Sequence, residues 1–307
     1  MLERMEMMKP VGVILDQCLN LQAGEQLLVL ADTDNLRIGQ MFTLAGQMRG
    51  AETIFLTYKP RSRHGEELPS IIAEAMKAAD AIVAPTAFSV NHTSARKAAS
   101  DAGARLIFFP GCKEDMFLDG CLDINFIAQS KVIADLSEVL ERGSEVHLTS
   151  NDGICHAPGT ISPPPCIETA VAPVEYTTEG VVCIDGAVVP GGEVLEPFML
   201  TFEKGRIVSV DASTKDGRML EQLLASYDDK EIYSHVELGF GLNPKAKIGR
   251  GVELEDEGEF GTIHLGIGNG ITFGSTIRAS GHIDLVVRHP IVSVDGKVVL
   301  KDRALSL

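Results

Sequence analysis

Five ionisable residues in the second half of the chain are of types that could do chemistry together. His282 and Asp284 stand two apart in SGHIDLVVRHP, residues 280–290, a run whose interior is otherwise Ile, Leu and Val. Side chains at i and i+2 of a strand point to one side, so a strand here aims an imidazole and a carboxylate into one shared volume. Taken alone, a His-x-Asp is more often a hydrogen-bonded pair at a strand end than a metal site. Three further residues add weight: Glu168 in PPPCIETAVAP, Glu237 in HVELGFGLNP and His264 in GTIHLGIGNG. Each lies in or beside a Gly- or Pro-punctuated apolar stretch, where an ionisable group is costly unless partnered. Three carboxylates and two imidazoles are enough donors for one or two divalent metal ions with oxygen and nitrogen ligands. Spacing along the chain leaves open whether they converge.

The elements that must position them fall into two halves. In the first, EQLLVLAD, AETIFLTY, DAIVAPT and ARLIFFPG read as buried strands. They alternate with helical patterns through IGQMFTLAGQMRG, LPSIIAEAMKAA and HTSARKAASDAG. Such alternation predicts an α/β, Rossmann-like domain with a mostly parallel sheet over residues 1–145. No G-x-G-x-x-G or G-x-x-x-x-G-K-[ST] follows any of these strands, so no nucleotide site is expected there. After the helical AQSKVIADLSEVLERGSE the texture changes to Gly, Pro and short β-branched runs, interrupted by one helix in TKDGRMLEQLLASYDD. Asp185-Gly186, Lys204-Gly205 and Asp295-Gly296 read as hairpin turns. Residues 146–307 are therefore expected to form a β-rich α+β domain carrying the metal site, with the boundary near residues 142–146.

Composition limits the partners. The chain has 307 residues, 45% hydrophobic and 23% charged, enough for two domains with their own cores. Its 27 Lys and Arg stand against 43 Asp and Glu, and a net charge of −16 disfavours nucleic acid and anionic membrane while suiting cations. The start, MLERMEMMKP, has no apolar core, and no run of 18 apolar residues occurs, so a cytoplasmic protein is expected. The six cysteines form no C-x-x-C and read as reduced thiols, with Cys155 and Cys166 as small buried residues.

Other candidates carry less. His64, His92, His156 and His289 have loop or strand-end contexts and read as chemically silent. His235 shares a face with Glu237 if that run is a strand, and reads equally as a donor that orients a ligand or as a plain strand histidine. The acidic run Glu253 to Glu259 reads as a solvated loop. GIGNG, residues 266–270, lacks the context of a phosphate loop and reads as a tight connection where small residues let substrate approach the backbone.

ELGFGLNP, LEDE before GTIHLGIGNG, and HIDLVV followed by VDG together resemble the C-terminal half of the aminopeptidase T family, the M29 metallopeptidases. IETAVAP with TTEGVVCIDG is similar to that family's GEV...AP segment. The resemblance runs through most of residues 151–299 and implies two divalent ions held by Glu168, Glu237, His264, His282 and Asp284. It also implies hydrolysis of a small amide or peptide by a metal-activated hydroxide, with zinc, manganese or cobalt. Asp284 or Glu168 would bridge the ions, and Glu237 would be a terminal ligand or the catalytic base. Where the peptidases carry a tyrosine seven residues after the histidine of that strand, this chain has Ile271, and it is shorter than those enzymes; both features point to a shifted substrate or mechanism. The same superfamily contains the Fe(II) dioxygenases that open 2,5-dihydroxypyridine, with a histidine matching Glu237 and an apolar residue matching His264. That alternative would use His264, His282 and Asp284 as a 2-His-1-carboxylate site. A non-catalytic metal-binding relative is the third reading, and a homodimer is expected from the size and class.

Overall fold

The computed structural model describes all residues except 1, 64, 91–92, 119, 151–152, 158, 163–166 and 272–273. His64, His92 and Cys166 lie outside the described residues, as do the side chains of Cys155 and His156. The chain divides into two compact units, residues 1–127 and 128–307.

The first unit holds a four-stranded parallel sheet in the order Glu52–Tyr58, Gln26–Asp32, Ala81–Thr86, Arg105–Pro110. Helices Leu36–Met48, Ser70–Ala78 and Ser94–Asp101 connect these strands, as the alternating pattern predicts. The strand Ala81–Thr86 is buried along its whole length, which is why it reads as an uninterrupted apolar run rather than an alternating one. Asp32 closes the strand Gln26–Asp32 at 1% exposure; its carboxylate accepts from Asn35 Nδ2 at 2.8 Å and from the Ala87 N–H at 2.5 Å.

The second unit contains two antiparallel sheets, one of seven strands and one of eight. A single apolar cluster draws on both, for example Leu238, Leu265 and Leu285 from the first and Val182, Leu200 and Phe202 from the second. The helix Phe126–Arg142 belongs to this core through Leu136 and Leu140, 0% and 3% exposed. The units part at residues 127/128, and the change of texture near residues 142–146 marks where this helix gives way to strand. Lys204-Gly205 and Asp295-Gly296 make the expected hairpins, with φ positive at all four residues. Asp185-Gly186 does not. It carries the chain from Glu179–Ile184 in the eight-stranded sheet to Ala187–Val189 in the seven-stranded one. Among the described residues no helix is long and apolar enough to cross a membrane.

Candidate metal centre

The strands Glu168–Pro173, His235–Gly241, Ile263–Gly268 and His282–Val287 lie side by side in the seven-stranded sheet. Their period of two sorts the side chains. One face carries Val171, Leu238, Phe240, Ile263, Leu265, Ile267, Ile283, Leu285 and Val287, all in the core. The alternate positions are Glu168, Glu237, His264, His282 and Asp284, interleaved with glycines. The five residues expected from the sequence are thus on one side of one sheet, and the hydrophobic drive that buries their neighbours holds them there.

Two glycines make the convergence possible. Gly239 is the cross-strand partner of His264, and Gly266 lies between Glu237 and Asp284 in the row across three strands. A Cβ at 239 would sit 1.9 Å from His264 Nε2. At 266 it would sit 2.7 Å from Glu237 Cβ and 2.9 Å from both Glu237 Oε2 and His282 Cε1. The imidazoles and the carboxylate occupy the space those side chains would have filled.

The donors form two groups, Glu168, Glu237 and His264 in one and Glu237, His282 and Asp284 in the other, with the ligating atoms of each within 4.8 Å of one another. His264 Nε2 lies 3.7 Å from Glu168 Oε2 and 3.6 Å from Glu237 Oε1. His282 Nε2 lies 3.2 Å from Glu237 Oε2 and 3.1 Å from Asp284 Oδ1. Glu237 is common to both groups and offers one oxygen to each. Its strand lies between that of Glu168 and that of His264, with that of His282 and Asp284 one further along the sheet.

Electrostatics follows from the geometry. Burial opposes charge on His264, but the nearby carboxylates, Glu237 first and then Glu168 and Asp284, push its pKa up to about 9. Burial likewise opposes charge on His282, yet Asp284 and then Glu237 hold it well above the usual imidazole range. Asp284 is held below the ordinary carboxylate value, against its burial, by the charge and hydrogen bond of His282 and then by His264. Protonated imidazoles here neutralise buried carboxylates, the same service a dication performs. The residues fit metal binding on three observations: the hard oxygen and imidazole donor set, the cleared space at Gly239 and Gly266, and a fixed tautomer at His282. Its Nδ1 bonds the Asn269 carbonyl oxygen at 3.0 Å, so Nδ1–H is the donor and Nε2 is the nitrogen that faces the carboxylates.

Three features lay beyond the sequence reading. Asn269 acts through its backbone carbonyl, for which side-chain identity gives no signal. Glu257 helps to hold the Asp284 carboxyl below its ordinary value. It belongs to the acidic run expected to be a solvated loop, and the structure overturns that: Glu255, Asp256 and Glu257 are 2%, 1% and 7% exposed. Asp256 accepts from the N–H groups of Gly249 and Arg250, and Glu259 pairs with Arg303 at 2.7 Å. The third feature is a β-bulge between His235 and Glu237 that shifts the register. His235 Nδ1 shares a 2.7 Å hydrogen bond with Thr178 Oγ1, its ring packs 5.5 Å from that of Phe202, and burial lowers its pKa to about 4. It is a core histidine bonded to a hydroxyl. Ile271 is exposed, in the connection after the His264 strand.

An α/β unit followed by a β-rich unit, with a cluster of acids and imidazoles on one sheet, defines the class. A family model described as NicX, 2,5-dihydroxypyridine 5,6-dioxygenase, matches residues 130–306, more than half of the chain, and the protein belongs to that family. The structure of 2,5-dihydroxypyridine dioxygenase from Pseudomonas putida KT2440 is similar at TM-score 0.83, with 16% identity over 97% of this chain and 96% of that one. Wild-type AmpT from Thermus thermophilus is similar at TM-score 0.70, with 17% identity over 98% and 99%. At such identities the likeness is one of fold alone. No curated protein sequence matches the chain significantly.

Proposed function

We propose that the protein is a metal-dependent hydrolase of a small amide or peptide, aminopeptidase-like in its chemistry. The observation that carries this reading is Glu237, which presents one carboxylate oxygen to each of two donor groups. Glu168, Glu237 and His264 would hold one divalent ion, and Glu237, His282 and Asp284 a second. Zinc, manganese and cobalt all suit the donors. When bound, such ions supply Lewis acidity and water acidified towards neutrality. The chain's own residues do the rest. Glu237, with both oxygens committed, acts as the shared ligand and not as the base. His282, with 27% of its side chain exposed, marks the edge of the centre through which a small substrate reaches it.

A second reading is favoured by family membership: an Fe(II) ring-cleaving dioxygenase acting on a dihydroxypyridine-like substrate. In this chain its expected ligands divide, His264 in one group and His282 and Asp284 in the other. A single iron would rest on Glu237, His282 and Asp284, one imidazole and two carboxylates where a 2-His-1-carboxylate site has the reverse. Metal content of protein purified without added metal, beside turnover of amide and dihydroxypyridine substrates with and without oxygen, separates the readings. About two ions per chain with oxygen-independent amide cleavage is expected. About one iron with oxygen consumed in opening a hydroxylated ring would replace the hydrolase by the dioxygenase.

A further inference from the structure

Glu175 lies seven residues beyond Glu168, just past the end of the strand Glu168–Pro173, and outside both donor groups. Its carboxylate is nonetheless densely engaged. Oε1 accepts from Ser275 Oγ at 2.7 Å, from the Thr276 N–H at 2.5 Å and from Thr276 Oγ1 at 3.0 Å, and Oε2 accepts from Thr276 Oγ1 at 2.9 Å. Ser275 and Thr276 belong to the connection 269–281, which joins the His264 strand to the His282 strand.

The contact continues to the metal centre through named atoms. The Ser275 N–H donates to the Gly270 carbonyl at 3.1 Å, and the Gly270 N–H donates to the Ile277 carbonyl at 3.2 Å. Ser275 Oγ in turn accepts from the Ile277 N–H at 3.0 Å. Gly270 has no slack: a Cβ there would lie 2.7 Å from both Ser275 Cβ and Val236 Cβ, and Val236 immediately precedes Glu237. The next residue back, Asn269, bonds the Gly281 carbonyl through its N–H at 2.8 Å and accepts His282 Nδ1–H at 3.0 Å through its carbonyl. One carboxylate therefore fastens the segment whose backbone sets the tautomer and direction of His282, and it does so from the turn that follows the Glu168 strand.

We propose that Glu175 is a positioning residue of the metal centre, acting through Ser275, Gly270 and Asn269 to hold His282 Nε2 towards Glu237 and Asp284. This rests on the metal reading above. Hydrogen-bonded partners of ligating histidines act in this way in metalloproteins, with losses of 10–100-fold in metal affinity when removed. A residue that merely closed a surface turn would change thermal stability and leave the two donor groups equally competent.

The test is cobalt(II) titration against a chromophoric chelator. It compares the wild type, Glu175→Gln, and Thr276→Val as a milder second variant, each also in a His264→Ala background that leaves only the Glu237, His282 and Asp284 group. Affinity in that background is expected to fall on the order of tenfold with Glu175→Gln and less with Thr276→Val, with altered cobalt d–d absorption. Affinity of the Glu168, Glu237 and His264 group, measured in a His282→Ala background, is expected to stay within about threefold, less than the smallest such loss. Equal losses in the two groups, or unchanged affinities accompanied by a lower Tm, would overturn the proposal while the metal reading stands. A wild type that binds no cobalt removes the metal reading, and the positioning role falls with it.

Discussion

Gly239→Ala tests the centre without deleting any donor. The added Cβ would stand 1.9 Å from His264 Nε2, 2.2 Å from Cε1 and 2.6 Å from Cδ2. Ordinary contact needs about 3.5 Å, so the ring must retreat by roughly 1.5 Å. Metal–ligand distances tolerate only about 0.2 Å. The ring is 1% exposed in a close-packed interior, so such a retreat must displace its neighbours. Overpacking of this kind costs about 1–3 kcal/mol, part of it offset by the roughly 0.5–1 kcal/mol that alanine gains over glycine inside a strand. The variant is therefore expected to fold, with near-UV circular dichroism like the wild type and a Tm lower by several degrees. Its metal content should drop from about two ions per chain to about one, retained by Glu237, His282 and Asp284. Elemental analysis of the folded variant is the assay. Two ions bound with wild-type affinity would show that His264 Nε2 is not a ligand and would refute the reading of Gly239 as space cleared for it.

The geometry separates Glu237 from His264 in their consequences. Glu237→Gln should reduce metal content below one per chain because both groups lose a donor, whereas His264→Ala should keep about one; equal retention in the two variants would remove Glu237 from its shared position. The metal-free protein should lose stability as pH rises. His264 titrates near 9 when folded and near 6.5 unfolded, so its contribution, on the order of 3 kcal/mol, is complete below about pH 6.5 and is lost as pH passes 9. A flat Tm between pH 6.5 and 9.5 in the apoprotein would contradict this. Metal loading at pH 7 should release about two protons, from His264 and His282, read by calorimetry in buffers of different ionisation enthalpy. A fragment beginning at residue 146 loses Leu136 and Leu140 from the core, at about 2–5 kcal/mol each, and is expected not to fold, whereas one beginning at 126 folds; cooperative melting of the shorter fragment would restore the boundary to the change of texture.

The sequence alone determined a good deal. Uninterrupted apolar runs alternating with helical periods are the local signature of a parallel sheet covered on both faces, and all four such runs are strands of one. The i, i+2 spacing of His282 and Asp284 fixed their common face once the segment was a strand, because the side-chain period of a strand is local geometry. What spacing could not give was convergence. Glu168, Glu237, His264 and His282 become neighbours only through the order and register of four strands, and register is decided by which faces the core buries. The same gap covers the place of Glu237: that it faces both groups follows from the order of the strands around its own, a relation absent from any local window. It also explains the acidic run, since acids in series read as solvated until tertiary packing buries them and supplies partners, as the N–H groups of Gly249 and Arg250 do for Asp256. Asp185-Gly186 shows the limit of turn chemistry. A dipeptide can favour a reversal, but whether the next strand returns to the same sheet or crosses to the other is settled by where its side chains are buried.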